Sequence, residues 1–134
     1  MELQVGVKIL LRNKDGKYLL VRRSSDKYPN ASGSWDIVGG RIEAGSTLLD
    51  NLKREVKEET NLDLAEEPKL IGGQDILRVP DKHIVRLTYT GPAEGQVKLD
   101  KKENTEFKWL SIDEIKKVSD LCLYLKELLD KGIL

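Results

Sequence analysis

Apolar residues recur along the first part of the chain in short runs that are typical of β-strands. Val, Ile and Leu dominate Leu3–Leu11, and the same composition returns at Tyr18–Val21. Between these runs, Asn13–Gly16 ends in an Asp-Gly pair, which favours a tight turn. The pattern therefore predicts a β-hairpin at the start of the chain.

Further strands are predicted downstream. Between the hairpin and the next strand, Ser24–Ser34 is rich in Ser, Pro, Asn and Gly, so it is predicted to be a long loop. A short strand is expected at Trp35–Val38, broken by the double glycine that follows it. The remaining candidates are Lys69–Val79, His83–Thr90 and Thr105–Leu110, with a loop over Gly91–Lys102 that contains a candidate short strand at Gln96–Leu99.

Three segments have the features of helices. The first begins near Ser46 or Thr47 and ends around Asn61, a residue type that tolerates the left-handed conformation found at helix ends. The second begins at Ser111-Ile112-Asp113-Glu114, which has the form of a capping box. The third covers Ser119–Lys131, and its apolar stripe consists of Leu121, Leu125, Leu128 and Leu129.

The first predicted helix places acidic residues beside its buried face. At 100° per residue, Glu55 and Glu58 flank the apolar stripe, and Glu59 falls within it, while Lys53 and Lys57 point the opposite way. Like charges four residues apart destabilise a helix by roughly 0.2–0.5 kcal/mol. An unpaired carboxylate in a buried stripe is also costly. The apolar stripe itself consists of Leu48, Leu49, Leu52 and Val56.

Two interpretations of these acids remain open. They hold a divalent cation, or they form a structural cluster in which Arg54 pairs with Glu58 and other cations approach in space. Carboxylate ligands suit Mg²⁺ or Mn²⁺, whereas zinc would require His or Cys. The chain has one histidine and one cysteine, so a zinc site is not expected.

Composition narrows the class of protein. A chain of 134 residues is expected to form a single domain over 1–134, and 39% hydrophobic residues are typical of a soluble globule. Basic and acidic residues both number 23, which argues against a general nucleic-acid coat protein. Without a long apolar run or a leader-like start, we expect a cytoplasmic protein with no membrane partner. The lone Cys122 is expected to be a buried apolar residue.

The segment that carries the acids resembles the Nudix box, whose pattern is Gly-x5-Glu-x7-Arg-Glu-apolar-x-Glu-Glu-x-Gly-apolar. Two positions depart from it, because Ser46 replaces the first Glu and Asn61 replaces the late Gly. In the family, that Glu usually pairs with the box Arg, so Glu43 or Asp50 is expected to replace it as the partner of Arg54. The matching residues are Gly40, Arg54, Glu55, Val56, Glu58, Glu59 and Leu62.

The similarity extends over nearly the whole chain and is closest to MutT-type nucleoside triphosphate pyrophosphohydrolases. Four flanking segments support it by their order and spacing: Leu3–Val5, Arg22–Asp26, Gly39–Glu43 and Pro80–Ile84. The resemblance implies an α+β fold, namely an α/β/α sandwich with a mixed β-sheet. It also implies hydrolysis of a nucleoside diphosphate linked to another group, by attack of water at phosphorus.

The resemblance assigns roles to the acids by position. Glu55, Glu58 and Glu59 match metal ligands for Mg²⁺ or Mn²⁺, together with the backbone carbonyl of Gly39. Glu103 matches a further acid that binds metal or acts as the base, although it is also consistent with an ordinary loop acid, and Glu106 is the alternative. The general base is expected among Glu55, Glu58 and Glu103, and Arg54 completes the predicted catalytic set.

Other residues match positions that contact the nucleotide. Arg23 and Lys82 match positions that touch the nucleotide, and Asp120 lies near a base-reading position. Asp120 is equally consistent with an acid that stabilises a helix N-terminus. The expected partner is a small nucleotide, for instance an oxidised nucleoside triphosphate, ADP-ribose or a nucleotide sugar, and the protein is expected to be a monomer or a homodimer. A non-catalytic nucleotide-binding module is the competing class, and Ser46 favours it.

Overall fold

The computed structural model describes residues 1–27 and 33–134, so part of the predicted loop at Ser24–Ser34 lies outside the described residues. Within the described residues, strands and helices follow the predicted order, except that residues 35–41 form two strands where one was predicted and a further short strand follows the first helix. The elements are β1 (Glu2–Arg12), β2 (Tyr18–Arg23), β3 (Trp35–Asp36), β4 (Val38–Arg41), α1 (Leu48–Thr60), β5 (Asp63–Leu64), β6 (Lys69–Ile76), β7 (Lys82–Glu94), β8 (Asn104–Leu110), α2 (Ile112–Lys116) and α3 (Leu123–Asp130).

The strands form one mixed β-sheet with β1 near its centre. β1 runs parallel to β7 from the pair Glu2–Lys82 to the pair Arg12–Pro92, and it runs antiparallel to β2 and β4. β2 also pairs with β3 and β8, and β7 pairs with β5 and β6, all in antiparallel orientation. The expected mixed sheet is therefore confirmed.

Helices cover both faces of this sheet. On one face, Val7 and Ile9 of β1 pack in the same core as Leu52 and Val56 of α1. On the other face, Leu10 of β1 belongs to a second core that includes Ile115 of α2 and Leu125 of α3. Because successive side chains of a strand point to opposite faces, the continuous apolar run of β1 supplies both cores. This arrangement confirms the α+β fold and the α/β/α sandwich.

Both termini of helix α1 lie where the sequence predicts. The hydroxyl of Thr47 accepts a hydrogen bond from the backbone N–H of Asp50 at 3.1 Å and caps the N-terminus. At the other end, Asn61 adopts the left-handed conformation with φ of 65°, and its N–H donates to the carbonyl of Lys57. The replacement of the box glycine by asparagine thus preserves the end of the helix.

Several elements differ from the prediction. Gly39-Gly40 does not end a strand, since both residues lie inside β4, and the break falls at Ile37. β7 continues to Glu94, and Gln96–Leu99 forms no strand, because the backbone N–H of Lys98 donates instead to the carbonyl of Thr60 at the end of α1. The short strand β5, which pairs with the end of β7, was not predicted.

The last helix is shorter than predicted because its first residues are used by the sheet. Trp35 of β3 forms a parallel bridge with Leu121. The N–H of Trp35 donates to the carbonyl of Asp120, and the N–H of Cys122 donates to the carbonyl of Trp35. These bonds attach residues 120–122 to β3, and α3 begins only at Leu123. None of the helices in the described ranges is long and apolar enough to cross a bilayer.

Candidate functional site

Glu59 is the acid that falls within the buried stripe of α1, and the structure buries it to 1% exposure. Its Oε2 accepts a hydrogen bond from the N–H of Gly39 at 3.0 Å, and its Oε1 accepts one from Nδ2 of Asn104 at 3.0 Å. Nη1 of Arg23 lies 3.5 Å from the same Oε1. Burial raises the pKa of Glu59 despite these partners. Sequence reasoning missed Asn104, since its partner lies 45 residues away in the chain.

Glu55 lies one turn before Glu59, against the backbone of β4. A Cβ atom added to Gly40 would lie 2.7 Å from Cδ of Glu55, so the carboxylate is in close contact with this glycine. Burial and the nearby charge of Glu59 raise the pKa of Glu55 to about 7, with a smaller contribution in the same direction from Glu58. The carboxylates of α1 therefore repel one another where the helix meets β4.

Glu58 is exposed and lies beside Arg54. Nη1 of Arg54 is 3.5 Å from Glu58 and 3.2 Å from Glu55, and its Nη2 is 3.7 Å from Glu43. The alternative interpretation of the acids, a structural cluster, predicted an ion pair between Arg54 and Glu58, and the structure contains this pair. Arg54 thus has in Glu43 the carboxylate partner that the box glutamate, replaced here by Ser46, would supply.

Glu103 and Glu106 are the two candidates for an acid outside α1 that binds metal or acts as the base, and they lie in different surroundings. The side chain of Glu103 is only 19% exposed and accepts a hydrogen bond from Nζ of Lys27. Its charge also contributes to the raised pKa of Glu59, so it lies near the acids of α1. Glu106 is exposed and pairs with Arg22 at 2.9 Å. The surroundings of Glu103 favour it over Glu106 for a role beside α1.

The chemistry of these donors fits a hard divalent cation, since carboxylate oxygens are the ligands that Mg²⁺ and Mn²⁺ prefer. A cation would also relieve the repulsion that raises the pKa of Glu55. However, no group of three or more acidic, histidine or cysteine side chains in residues 1–27 and 33–134 is arranged to hold a metal. Glu59 is bonded within the protein and Glu58 pairs with Arg54. Metal binding therefore requires these side chains to change partners.

The raised pKa of Glu55 predicts an effect of pH on stability in a chelating buffer. Between pH 4.5 and about 7, the folded protein keeps a proton on Glu55 that the unfolded chain has released. Stability contributed by this group therefore falls as the pH rises through that range and is constant above it. A Glu55→Gln variant lacks this loss, so its Tm should exceed that of the wild type most clearly above pH 7. A difference in Tm that stays constant from pH 5 to 8 would contradict this.

The adjacent glycines of β4 have different tolerances for a side chain. Gly39 has φ of 148°, and an added Cβ would lie 1.9 Å from the backbone oxygen of Val7, so alanine cannot fit there without moving β1. At Gly40, the three atoms nearest to an added Cβ all belong to the carboxylate of Glu55, the end of a flexible side chain that can move aside. Alanine substitutions at Gly39 and Gly40 can therefore distinguish an effect on the fold from an effect on the position of Glu55.

We expect Gly40→Ala to fold with a Tm close to that of the wild type but to lose activity. A misplacement of about 1 Å in a catalytic group can cost about 10²-fold in rate, and the methyl group must displace Glu55. Gly39→Ala is the contrasting variant and should lower Tm strongly. Thermal melts and steady-state rates measure both effects, and a Gly40→Ala variant with wild-type rates would show that the position of Glu55 is unimportant.

A cavity of about 480 Å³ borders the acids, and it shares Gly39 and Gly40 with them. Ligand sites commonly have volumes of 300–1,000 Å³. Among the described residues that line it, only Asp36 is acidic, whereas the cations are Lys8, Arg23, Lys27, Arg41, Arg78, Lys82 and Arg86. The cavity is therefore suited to an anionic ligand.

Asp36 and Arg86 form a buried ion pair in this cavity that the sequence analysis did not predict. Nη1 and Nη2 of Arg86 donate to the two carboxylate oxygens of Asp36 at 3.1 and 2.9 Å. Nζ of Lys8 and Nη2 of Arg23 lie 3.7 and 3.9 Å from the same carboxylate. Burial would raise the pKa of Asp36, but the charge and hydrogen bonds of Arg86, the charge of Arg23 and the N–H of Ile37 together outweigh burial and lower that pKa. The only signal in the sequence is an arginine inside the apolar run of β7.

Two of the three residues predicted to contact the nucleotide line the cavity, and the third does not. Arg23 and Lys82 line the cavity, but Arg23 is buried, and its Nη2 donates to the carbonyl of Ile37 at 3.2 Å. Asp120 does not belong to the lining residues. Its carboxylate accepts a hydrogen bond from the hydroxyl of Ser34, which lowers its pKa. Since α3 begins at Leu123, the alternative interpretation of Asp120 as a helix-terminal acid is wrong.

Comparison with known proteins identifies the family to which this arrangement corresponds. The sequence model of the NUDIX domain matches residues 2–130. A MutT-like protein of Streptomyces ambofaciens is 30% identical over 111 residues, which is 83% of this chain and 66% of the relative. A Bacillus subtilis (strain 168) protein, provisionally named 8-oxo-dGTP diphosphatase, is 28% identical over 79% of this chain and 65% of its own length. The chain thus spans slightly less than two thirds of these two relatives.

Solved structures show the same fold. The MutT protein of Methanosarcina mazei Go1 has a TM-score of 0.81 and 27% identity, with 97% of this chain and 92% of that chain covered. The MutT NUDIX hydrolase of Burkholderia pseudomallei has a TM-score of 0.81 at 20% identity, with 97% and 98% covered, and this likeness concerns the fold alone.

Proposed function

This chain belongs to the NUDIX domain family, and we therefore propose that it is a Mg²⁺-dependent hydrolase of nucleoside triphosphates or related compounds that contain a nucleoside diphosphate. The observation that carries this proposal is the arrangement on the two sides of β4. The acids of α1 contact the backbone of Gly39 and Gly40, and the cavity rich in cations is lined by the same two glycines. A phosphate chain bound in the cavity would reach the acids at these glycines.

The divalent cation would be held by Glu55, Glu58 and Glu59 with the carbonyl of Gly39 and with Glu103. When bound, such an ion neutralises charge on the phosphates and makes a bound water more acidic. This role is consistent with the pKa of Glu55, which burial and the nearby charge of Glu59 raise to about 7.

The protein residues supply binding and proton transfer. Cations of the cavity, with Lys82 at its edge and Arg23 in its wall, hold the phosphates. The oxygen of a water attacks phosphorus, the bond from phosphorus to the bridging oxygen breaks, and the departing phosphate keeps that electron pair. The proton of the water passes to one of the carboxylates, Glu55, Glu58 or Glu103. Arg54 contacts both Glu55 and Glu58 and would hold them in position.

For the substrate, the name of the Bacillus subtilis relative supports an oxidised nucleoside triphosphate. ADP-ribose and nucleotide sugars are the alternatives, since they contain the same diphosphate linkage. The net cationic lining of the cavity is compatible with each of them.

The test is a hydrolysis screen across nucleoside triphosphates, 8-oxo-dGTP, ADP-ribose and nucleotide sugars, with Mg²⁺ and with EDTA in excess. We expect turnover of at least one compound with Mg²⁺ and a loss of that turnover in EDTA. Turnover that persists in EDTA would overturn the metal dependence, and an absence of turnover throughout would overturn the enzyme assignment.

A second candidate function is nucleotide binding without hydrolysis. Two observations favour it, namely Ser46 in place of the box glutamate and the engagement of Glu58 and Glu59 by protein groups. Calorimetric binding of a nucleotide with Mg²⁺ but without turnover would identify this function. Hydrolysis in the screen would exclude it.

A further inference from the structure

Strand β8 forms one edge of the sheet. In residues 1–27 and 33–134 it pairs with β2 and with no other strand. The backbone carbonyl of Thr105 in β8 accepts a hydrogen bond from Nζ of Lys101 at 3.1 Å, so it is bonded to an exposed side chain and not to a strand. The open edge of a sheet presents N–H and C=O groups that can pair with another chain. A further strand can therefore be added beside β8.

Side chains on both faces of β8 are exposed along the same stretch. Thr105, Glu106, Phe107 and Lys108 are four consecutive exposed residues. Because successive side chains of a strand point to opposite faces, neither layer of helices covers this part of the sheet. Phe107, the single phenylalanine of the chain, is 42% exposed. A large apolar side chain thus lies in the middle of the uncovered edge.

The charges of β8 are complementary to those of a second, antiparallel copy of the same strand. When Phe107 lies opposite Phe107 of the second copy, Glu106 of each copy lies opposite Lys108 of the other. Opposite charges and pairs of aromatic rings stabilise two strands when they lie directly across from each other. A register centred on Lys108 would instead place two lysines opposite each other, which is destabilising. The charges therefore favour the register centred on Phe107.

We propose that the outer edge of β8 is a homodimer interface, at which two copies of this chain join their sheets by antiparallel pairing about Phe107. The residues described as lining the cavity include none from β8, so the pairing leaves the cavity open. Regular pairing is short, because the register of β8 against β2 shifts between Arg22 and Arg23, near the start of β8. Stable complexes bury roughly 1,200–2,000 Å², and we expect less here and hence a weak dimer.

The other long strand with a single extended partner is β6, which pairs with β7. It contains Gly72 and Gly73, which supply no side chains for cross-strand pairs. Its register also shifts between Leu70 and Gly72. β6 is therefore less suited to self-pairing, and its exposed Leu70 provides a control position.

The competing explanation is that the charges of β8 protect its edge from pairing, as charged side chains do on many edge strands. Glu106 contacts Arg22 at 2.9 Å, and Nζ of Lys108 lies 5.0 Å from the centroid of the Trp35 ring. Both charges thus have contacts within their own chain. Exposed ion pairs of this kind contribute little, so a second copy can compete for Glu106. Protection predicts a monomer at every concentration.

The first experiment is sedimentation equilibrium of the full chain over a series of concentrations, without nucleotide. We expect the mass to rise from that of one chain to that of two. Lys108→Glu and Glu106→Lys each place like charges opposite at two positions and should weaken the dimer about tenfold. The double variant Glu106→Lys/Lys108→Glu restores unlike charges and should dimerise more tightly than either single variant. A wild-type monomer throughout, or a double variant no tighter than the singles, would overturn the proposal.

The second experiment tests the register by cross-linking. Directly opposed residues of antiparallel strands have Cα atoms about 4.5–5.5 Å apart, within the range of about 4.4–6.8 Å for a disulfide. Phe107→Cys should therefore form a covalent dimer under mild oxidation, seen on a non-reducing gel. The wild type is one control, since Cys122 is only 3% exposed, and Leu70→Cys is the other, since it places an exposed thiol on β6.

We expect no cross-link in either control. Cross-linking of Leu70→Cys to the same extent as Phe107→Cys, or in its place, would overturn the assignment of the interface to β8. The absence of a covalent dimer in Phe107→Cys would overturn the register. Both experiments measure association without a substrate, so their results do not depend on the outcome of the hydrolysis screen.

Discussion

Replacing Glu58 with glutamine is expected to lower kcat/KM by about 10²- to 10⁴-fold, the range typical of a lost acid–base group. The substitution keeps the size of the side chain and removes the charge that would bind the cation or accept the proton of water. Glu58 is exposed, and within residues 1–27 and 33–134 its only ion pair is with Arg54, so the fold should not depend on it. Steady-state kinetics with Mg²⁺ measure the effect, and a thermal melt should show an unchanged Tm.

A matched pair of variants on β8 and the loop before it separates the site acids from other surface acids. Glu103→Gln should lower the rate strongly, since Glu103 lies near Glu59. Glu106→Gln should leave the rate within about twofold of the wild type, since Glu106 pairs with Arg22 at the surface and such pairs contribute little. Wild-type rates in both Glu58→Gln and Glu103→Gln would show that these carboxylates do not take part in the reaction.

Replacing Asp36 with alanine is expected to destabilise the protein by about 3–5 kcal/mol, because removal of one partner leaves a buried charge without compensation. Arg86 loses both of its charged hydrogen bonds, and Lys8 and Arg23 lose a carboxylate within 4.0 Å. Domains of this kind have unfolding free energies of about 5–15 kcal/mol, so the loss is a large fraction of the total. Unfolding in urea, followed by circular dichroism, measures it.

The pH dependence of this loss has a definite sign. Burial acts to raise the pKa of Asp36, but Arg86, Arg23 and the N–H of Ile37 together lower it in the folded state below its ordinary value of 3.8. The carboxylate therefore stabilises the fold at neutral pH, and this contribution is lost as the pH falls through the lowered pKa. The difference between the wild type and Asp36→Ala should accordingly narrow in strong acid.

Asp130→Ala is the control for the Asp36 variant. Asp130 forms an exposed ion pair with Lys126 at 3.4 Å, and pairs of this kind contribute about 0–1 kcal/mol. It should therefore leave the unfolding free energy nearly unchanged. If Asp36→Ala were as stable as Asp130→Ala, the buried ion pair would not contribute to the stability of the fold.

Local sequence determined the features that depend on residues close together in the chain. The period of α1 places Glu59 in the buried stripe, and the structure confirms this burial. Thr47 and Asn61 set the ends of the same helix, because caps depend on hydrogen bonds within one turn. The resemblance of the box was sufficient to imply the family and the α/β/α sandwich.

Only the tertiary structure decided which distant residues meet. Asp36 and Arg86 are 50 residues apart, and they meet because β4, which begins two residues after Asp36, and β7 both pair with β1. Asn104 reaches Glu59, and residues 120–122 join β3 instead of the last helix, for the same kind of reason. Periodicity specifies which face of an element is buried, but the register and order of strands specify which charge finds a partner there.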